Sequence, residues 1–473
     1  MKKYLLSILL LAGALTACED ELQLDPFNSI GVENAFVTND DFSNAIRGVY
    51  ASLRNGNYYG GNFYLIPDVI SDNTIICSQG RNSFQDYFFF NYNGNIALVG
   101  FWSAGYNTIL RANHVLENIN KLPDGDFKNN IEGQALALRA LAHFDLARVY
   151  SAAPQFAAAS DLGIPYVTTT SSSEKPSRPS VADTFTNIEQ DLIAAVPLIA
   201  SESDPGFLNK AGVYALQSRL YLYIGDYQAT IDAADDAIAE GITVAPIASF
   251  ADIWTDETED DVIFKARNTD NDRVTVGVVY NQTGPTGVRS EYVPDYSLYQ
   301  LYGVNDVRRD AYFSTSAFGG FNFNHIVKWY QRPGSNQAVV DMKILRAAEV
   351  YLNKAEAHAA LDQDGAALTA LNMVRTNRYT GFVDPAETGN ALDAAVALER
   401  RLELAFEGHR LFDLKRQNLP ITRSAFGDYS DGTGVSIPAE SRTLPASSPM
   451  FQMPIPQEEL NANENLQPNP SNG

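Results

Sequence analysis

The chain alternates between stretches of clear helical period and stretches with none. Within residues 38–54, Phe42, Ala45, Ile46, Val49, Tyr50 and Leu53 recur at spacings of three and four, behind Thr38 or Asn39 as a cap. That pattern predicts an amphipathic helix. Residues 101–120 repeat it through Trp102, Ile109, Leu110, Val115, Leu116 and Ile119, with Trp102 on the core face. Residues 130–150 are rich in Ala, and small side chains at helical spacing let neighbouring helices approach closely. Val181, Phe185, Ile188, Leu192 and Val196 predict a fourth helix over 181–199.

Two segments read as helical hairpins. Residues 211–240 turn at Gly225-Asp226, and residues 342–378 turn at Asp362–Gly365. Both resemble tetratricopeptide units, with 101–120 plus 130–150, and 181–199 alone, as degenerate members. The predicted fold is therefore mainly α, a superhelical scaffold of stacked hairpins. Residues 55–100, 265–340 and 420–473 lack helical period and are rich in Gly, Asn, Tyr, Phe, Pro or Ser. Long irregular segments on a rigid scaffold usually carry function.

Composition narrows the classes. A chain of 473 residues with 45% hydrophobic and 11% aromatic residues buries a large core without disulfide staples. A net charge of −23 argues against nucleic acid as a partner, because a phosphate backbone needs a Lys/Arg surface. Residues 1–17, with Lys2 and Lys3 ahead of an apolar run from Leu5 to Leu15, have the layout of a signal peptide. Leu15-Thr16-Ala17-Cys18 resembles a bacterial lipobox, which implies cleavage before Cys18 and lipidation of its sulfur. Several acyl chains together anchor firmly where one holds only marginally. Removing the signal moves the balance from −23 to −25 and leaves Cys77 as the one other cysteine, a buried thiol or an inert loop residue. Residues 18–35 then form a lipidated tether, with acidic Glu19, Asp20 and Glu21 next to the anchor, and 36–473 a single domain.

Catalytic constellations are hard to find. There is no HExxH, CxxC, GxxxxGK[ST] or GxSxG, and the five histidines form no close ligand pair. No cofactor or metal is expected. Asp256–Asp261 and Asn268–Asp272 lack the glycine and terminal glutamate of an EF-hand and read as solvated acidic loops. The densest charge cluster runs from Glu399 to Arg416, with Glu399, Glu403 and Glu407 along one helical stripe. It reads either as paired carboxylates of a surface hydrolase or as an ion network that locks an interface. The second is favoured, since no nucleophile or metal cluster accompanies it.

The run ERRLELAFEGHRLFDLKR, containing Glu403, Phe406, Glu407, Gly408, His409, Arg410 and Asp413, strongly resembles the C-terminal signature of the SusD/RagB family, surface lipoproteins of Bacteroidota that take up nutrients. Gly48–Leu53, Trp102–Asn113, Gln134–Asp145, Ile188–Leu192, Glu349–Ala357 and Pro454–Pro456 resemble family segments in the same order. The resemblance implies a tetratricopeptide-like scaffold with an irregular ligand-facing half. It implies a receptor, not an enzyme, lipid-anchored in the outer membrane and facing outward. Its partners would be a glycan ligand and a SusC-like TonB-dependent transporter that it covers as a lid. It also implies that the FEGHR motif is scaffold, with no ligand role.

Ligand residues do not carry over by motif, so they are read from chemistry. Glycans are held by aromatic faces with a few polar side chains around them. The first irregular region offers Tyr58, Tyr59, Tyr64, Asp68, Asn73 and Arg81, and the second offers Tyr292, Tyr296 and Trp329. Gly60-Gly61 beside Tyr58-Tyr59 predicts an exposed, mobile presentation of that pair. A peptide ligand in the same receptor role is the alternative.

Overall fold

Each of the four predicted helical segments and both hairpins contain the expected helices, and local chemistry sets their ends. The computed structural model describes residues 35–96, 98–201, 203–271 and 276–472. The expected signal peptide, Cys18, Asp272 and all but the last residue of the tether lie outside the described residues. Helix α1 (Asn39–Leu53) opens on a reciprocal cap. The Thr38 hydroxyl accepts from the Asp41 N–H at 3.2 Å, and Asp41 Oδ2 accepts from the Thr38 N–H at 2.7 Å. Its buried face is Phe42, Ile46, Val49, Tyr50 and Leu53. The remaining long helices are α2 (Asn62–Ile70), α3 (Val99–Asn118), α4 (Asp126–Tyr150), α5 (Val181–Ala195), α6 (Lys210–Ile224), α7 (Tyr227–Ala239), α8 (Ala347–Ala360), α9 (Asp364–Arg375), α10 (Gly389–Glu403) and α11 (Arg410–Arg416).

Consecutive helices pack as pairs, α3 on α4, α6 on α7 and α8 on α9, while α7 and α10 both lie against α8. Gly225, at φ +83°, ends α6, and Asp226 caps α7 by accepting from the Ala229 N–H at 3.0 Å. Helix α4 is buried around most of its circumference, which its many alanines permit. Its last four carbonyls all find donors: the N–H of Ser151 on Ala147, the Lys415 ammonium on Arg148, the N–H of Met453 on Val149, and the amides of Gln452 and Asn469 on Tyr150.

The irregular half is built from short antiparallel ribbons. Strand β1 (Thr74–Ile76) pairs with β5 (Tyr292–Pro294), β2 (Val262–Ala266) with β8 (Met342–Arg346), β3 (Gln282–Gly284) with β4 (Gly287–Arg289), β6 (Phe313–Phe318) with β7 (Phe321–Ile326), and β9 (Ile421–Thr422) with β10 (Thr443–Leu444). Two expectations are corrected here. The hairpin read over 342–378 starts at Ala347, because Met342–Arg346 is a strand buried on both faces. The interval 55–100 holds a nine-residue helix, α2, whose all-round burial erases any amphipathic period.

The two halves are locked by buried charge. Glu403, fully buried, receives Arg346 and Arg378 at 2.9 Å and Arg308 at 3.2 Å. Glu407 receives Lys328 at 2.7 Å and Arg346 at 2.6 Å, and Glu399 pairs with Arg308 at 2.6 Å. Burial alone would raise the Glu403 and Glu407 carboxyls; the surrounding Arg and Lys groups hold both below the usual range. Asp261 joins through Arg346 and Arg378, and Asp256 takes Arg332 at 2.8 Å and Lys343 at 2.5 Å. The acidic stretch 256–261 therefore contributes two carboxylates to this interior, against the expectation of a wholly solvated loop. Gly408 sits at φ +74°, where a Cβ would come 3.2 Å from Tyr64, so the chain reverses between α10 and α11 over a backbone only Gly accommodates freely. Arg410 then clasps Asp72 at 2.7 and 2.9 Å, and Asp413 binds Arg400 and Arg416, both at 2.9 Å. His409 is held neutral, its pKa pushed well below the usual value by burial and then by the neighbouring guanidinium groups. No helix among the described residues is long and apolar enough to cross a membrane.

Candidate functional site

Most of the predicted glycan contacts lie inside the protein. Tyr58 and Tyr59 are 0% and 1% exposed, and both hydroxyls donate to Asp145 Oδ2, at 2.6 and 2.7 Å. The expected mobile pair is thus corrected to a core pair. Gly60 and Gly61 are required for close backbone packing, since a Cβ on either would overlap a carbonyl oxygen of the 54–56 turn. Tyr64 is buried and donates to the Lys343 carbonyl. Trp329 is buried and donates to the Phe406 carbonyl at 2.8 Å. Tyr292 is buried, with its hydroxyl on the Ser83 carbonyl at 2.8 Å. Asp68 and Asn73 are buried as well, joined at 2.8 Å, and Asp68 also accepts from the N–H groups of Phe406 and Gly408. Burial outweighs these bonds and pushes the Asp68 carboxyl up to about 6. In each case a polar tip found an internal partner, which let the ring or carboxyl serve the core.

Two predicted residues keep access to solvent. The Arg81 side chain is 47% exposed and pairs with buried Glu291 at 2.7 Å. Burial would raise Glu291, but Arg81 and the N–H groups of Arg81 and Ser83 hold it below the usual range. Tyr296 is half-buried, edge-on to Phe426 at 5.1 Å and stacked with Tyr299 at 6.1 Å.

Around these two, the ribbons present an aromatic ledge. The β6–β7 hairpin turns through Gly319 and Gly320, at φ +59° and +89°, which places Phe318 and Phe321 as a flanking pair at its tip. Phe321 is 44% exposed and stacks on half-buried Tyr429, with ring centres 4.6 Å apart and planes at 15°. Phe318 lies under the Arg289 guanidinium at 5.7 Å, and Arg289 Nε donates to the Gln79 carbonyl at 3.0 Å.

The loop that carries Tyr429 is fixed from both sides. Asp428 accepts from the N–H groups of Ser78 and Val435 at 2.7 and 2.8 Å, and Ser430 N–H donates to the Asn322 carbonyl at 2.8 Å. Gly432 lies against the Tyr296 ring and Gly434 against that of Tyr429, where any Cβ would clash. The ledge thus combines Phe318, Phe321, Tyr429, Tyr296 and Phe426 with the polar groups of Arg81, Arg289 and Gln79. Sequence reasoning missed Phe318, Phe321, Phe426 and Tyr429. The Gly-Gly pair between two phenylalanines was a readable hairpin signal, but the stack on Tyr429 joins segments over a hundred residues apart. Among the described residues no group of His, Cys, Asp and Glu is arranged to hold a metal ion. Glu399, Glu403 and Glu407 are buried within their ion pairs rather than set along a cleft.

Packed helix pairs are thus joined to a ribbon half that carries the aromatic ledge. The profile of the SusD family matches residues 211–471, and a profile described as "starch-binding associating with outer membrane" matches residues 34–222; the chain belongs to the SusD family. A SusD-like protein of Formosa agariphila is 25% identical, over 99% of each chain. A crystal structure of a putative sugar-binding protein from Bacteroides vulgatus superposes with a TM-score of 0.82 at 26% identity, covering 93% of this chain and all of the other. A SusD superfamily protein from Bacteroides thetaiotaomicron gives 0.81 at 25% identity, covering 92% of this chain and all of the other.

Proposed function

We propose that this protein captures an oligo- or polysaccharide at the cell surface on the Phe318–Phe321–Tyr429–Tyr296 ledge and delivers it to a SusC-like TonB-dependent transporter, over which it acts as a lid. The carrying observation is the stack of partly exposed Phe321 on Tyr429, beside Phe318 with the Arg289 guanidinium over its ring. Flat apolar rings match the C–H faces of sugars, and the bordering guanidinium groups match their hydroxyl edges. The family membership and the sugar-binding name of the Bacteroides vulgatus relative support the same ligand class.

The transporter role draws support from exposed apolar residues on the segment that follows Tyr296. The 296–305 segment that carries Tyr296 also carries Leu301 and Val304, which are 43% and 94% exposed. Asn305 accepts from Thr380 N–H at 2.8 Å, which brings exposed Val383 into the same region. Lipid anchoring through Cys18 fits the lipobox, and an outward-facing position fits the family resemblance and the acidic Glu19-Asp20-Glu21 beside the anchor.

Affinity electrophoresis of residues 19–473 through gels containing neutral and acidic polysaccharides tests the reading. The expected result is retardation by at least one glycan, without its turnover. Absence of retardation by any glycan, together with direct binding of peptides, would replace the ligand class and keep the receptor. Turnover of a retained glycan that Glu403→Gln abolished in a folded protein would replace the receptor with a hydrolase.

A further inference from the structure

A cavity of about 270 Å³ opens between the C-terminal end of α4, the end of α11 and the 446–452 segment, away from the aromatic ledge. Phe156, Leu414, Leu419, Pro449 and Phe451 give it apolar walls, and Lys415 is part of its lining. Lys415 is only 7% exposed. Its ammonium donates to the Arg148 carbonyl at 2.7 Å, in the last turn of α4, where a positive charge suits the helix end. That bond uses one of three N–H donors.

The other buried lysines show what is missing. Lys265 pairs with Asp341 and Glu259, Lys328 with Glu407, and Lys343 with Asp256. Among the described residues, Lys415 has no carboxylate at ion-pairing distance; the charged neighbour acting on it is Arg148, a like charge already paired with Asp145. Burial first, and Arg148 second, push its amine down to about 7. Taking an ammonium out of water without a counter-ion is unfavourable, and an anion brought into the cavity offsets that penalty.

We propose that this cavity binds a small carboxylate carried on an apolar body. The carboxylate pairs with Lys415 Nζ, and Leu414, Leu419 and Phe451 enclose the body. The volume sits just under the ~300–1,000 Å³ typical of drug-sized ligands, which fits a short-chain or simple aromatic acid. The cavity lies away from the aromatic ledge, and apart from Lys415 its polar lining is neutral, from Asn418, Ser447, Ser448 and Gln452, so the site is separate from glycan capture and does not rest on it.

The test uses residues 19–473 with hexanoate and benzoate as probes and hexanamide as the neutral match for hexanoate. Isothermal titration is expected to give one site for at least one of the two acids, with hexanamide at least ten-fold weaker than hexanoate. Millimolar amounts of the bound acid should raise the melting temperature. Lys415→Met is expected to abolish acid binding. Because it also removes the cap on Arg148, a second variant, Ser447→Trp, fills the cavity from its exposed rim and leaves Lys415 in place; it too is expected to abolish binding. Equal affinity for hexanoate and hexanamide would overturn the proposal. So would binding that survives Ser447→Trp in a folded protein, or no binding of either acid at 20 mM.

Discussion

Replacing Glu403 by Gln should strongly destabilise this protein. The Glu403 carboxylate is fully buried and receives Arg346, Arg378 and Arg308 at 2.9, 2.9 and 3.2 Å. Gln keeps the shape and removes the charge, so three buried guanidinium groups lose a shared counter-ion. Arg346 retains Glu407 and Asp261, and Arg308 retains Asp306 and Glu399. Arg378 keeps the longer contact to Asp261, at 3.3 Å, two backbone carbonyls and the Phe250 ring face at 4.1 Å. Breaking a buried pair by removing one partner costs about 3–5 kcal/mol. Residual pairing of Arg346 and Arg308 argues for the lower half of that range. The assay is urea unfolding followed by tryptophan fluorescence. Trp254 lies 4.2 Å from the Lys328 ammonium, and Trp329 donates to the Phe406 carbonyl, so two indoles report on the network directly. A loss of about 3 kcal/mol is expected. A loss below ~0.5 kcal/mol would show that the network contributes nothing net and that the family motif needs another explanation.

Other outcomes follow from the same structure. Glu403, Glu407 and Asp413 have folded pKa values held below their unfolded ones, so their contribution is complete above about pH 4.5 and is lost as pH falls through the folded values. Unfolding free energy should therefore drop steeply between about pH 4.5 and 3 in urea titrations, and equal values at pH 3 and pH 7 would contradict this. Arg423 donates to the carbonyls of Ser71, Phe88, Ser441, Val69 and Ile70, so Arg423→Met should lose at least ~3 kcal/mol by thermal unfolding, because buried acceptors are left unmet. Gly408→Ala, at φ +74° and against Tyr64, should cost about 1–3 kcal/mol in the same assay, and a neutral result would refute the argument from backbone conformation.

What was legible in the chain was what is local. The face Phe42–Ile46–Val49–Tyr50–Leu53 repeats within fifteen residues, and Gly225-Asp226 announces both a helix end and a helix start. Met342–Arg346 was misassigned because a strand buried on both faces has no alternation to distinguish it from the helix it adjoins. The candidate ligand residues are harder still to read. Tyr58 and Tyr59 look like an exposed pair until Asp145, 87 and 86 positions away, takes both hydroxyls. Asp256 and Asp261 read as solvated until the Arg and Lys groups they meet are known. The ledge depends on a stack between Phe321 and Tyr429, which composition marks only as two more aromatics in irregular sequence.

On the proposed function, glycan is held on this ledge and not by the buried tyrosines. Once a retained oligosaccharide is known, isothermal titration on three proteins tests it most directly: wild type, Phe321→Ala/Tyr429→Ala, and Tyr58→Phe/Tyr59→Phe. If each ledge ring covers roughly 60 Å² of sugar at ~25 cal/mol per Å², the two together are worth about 3 kcal/mol, or roughly a hundred-fold in affinity. That loss is expected for the ledge variant, with an unchanged Kd for the folded Tyr58/Tyr59 variant. An unchanged Kd for the ledge variant would contradict it.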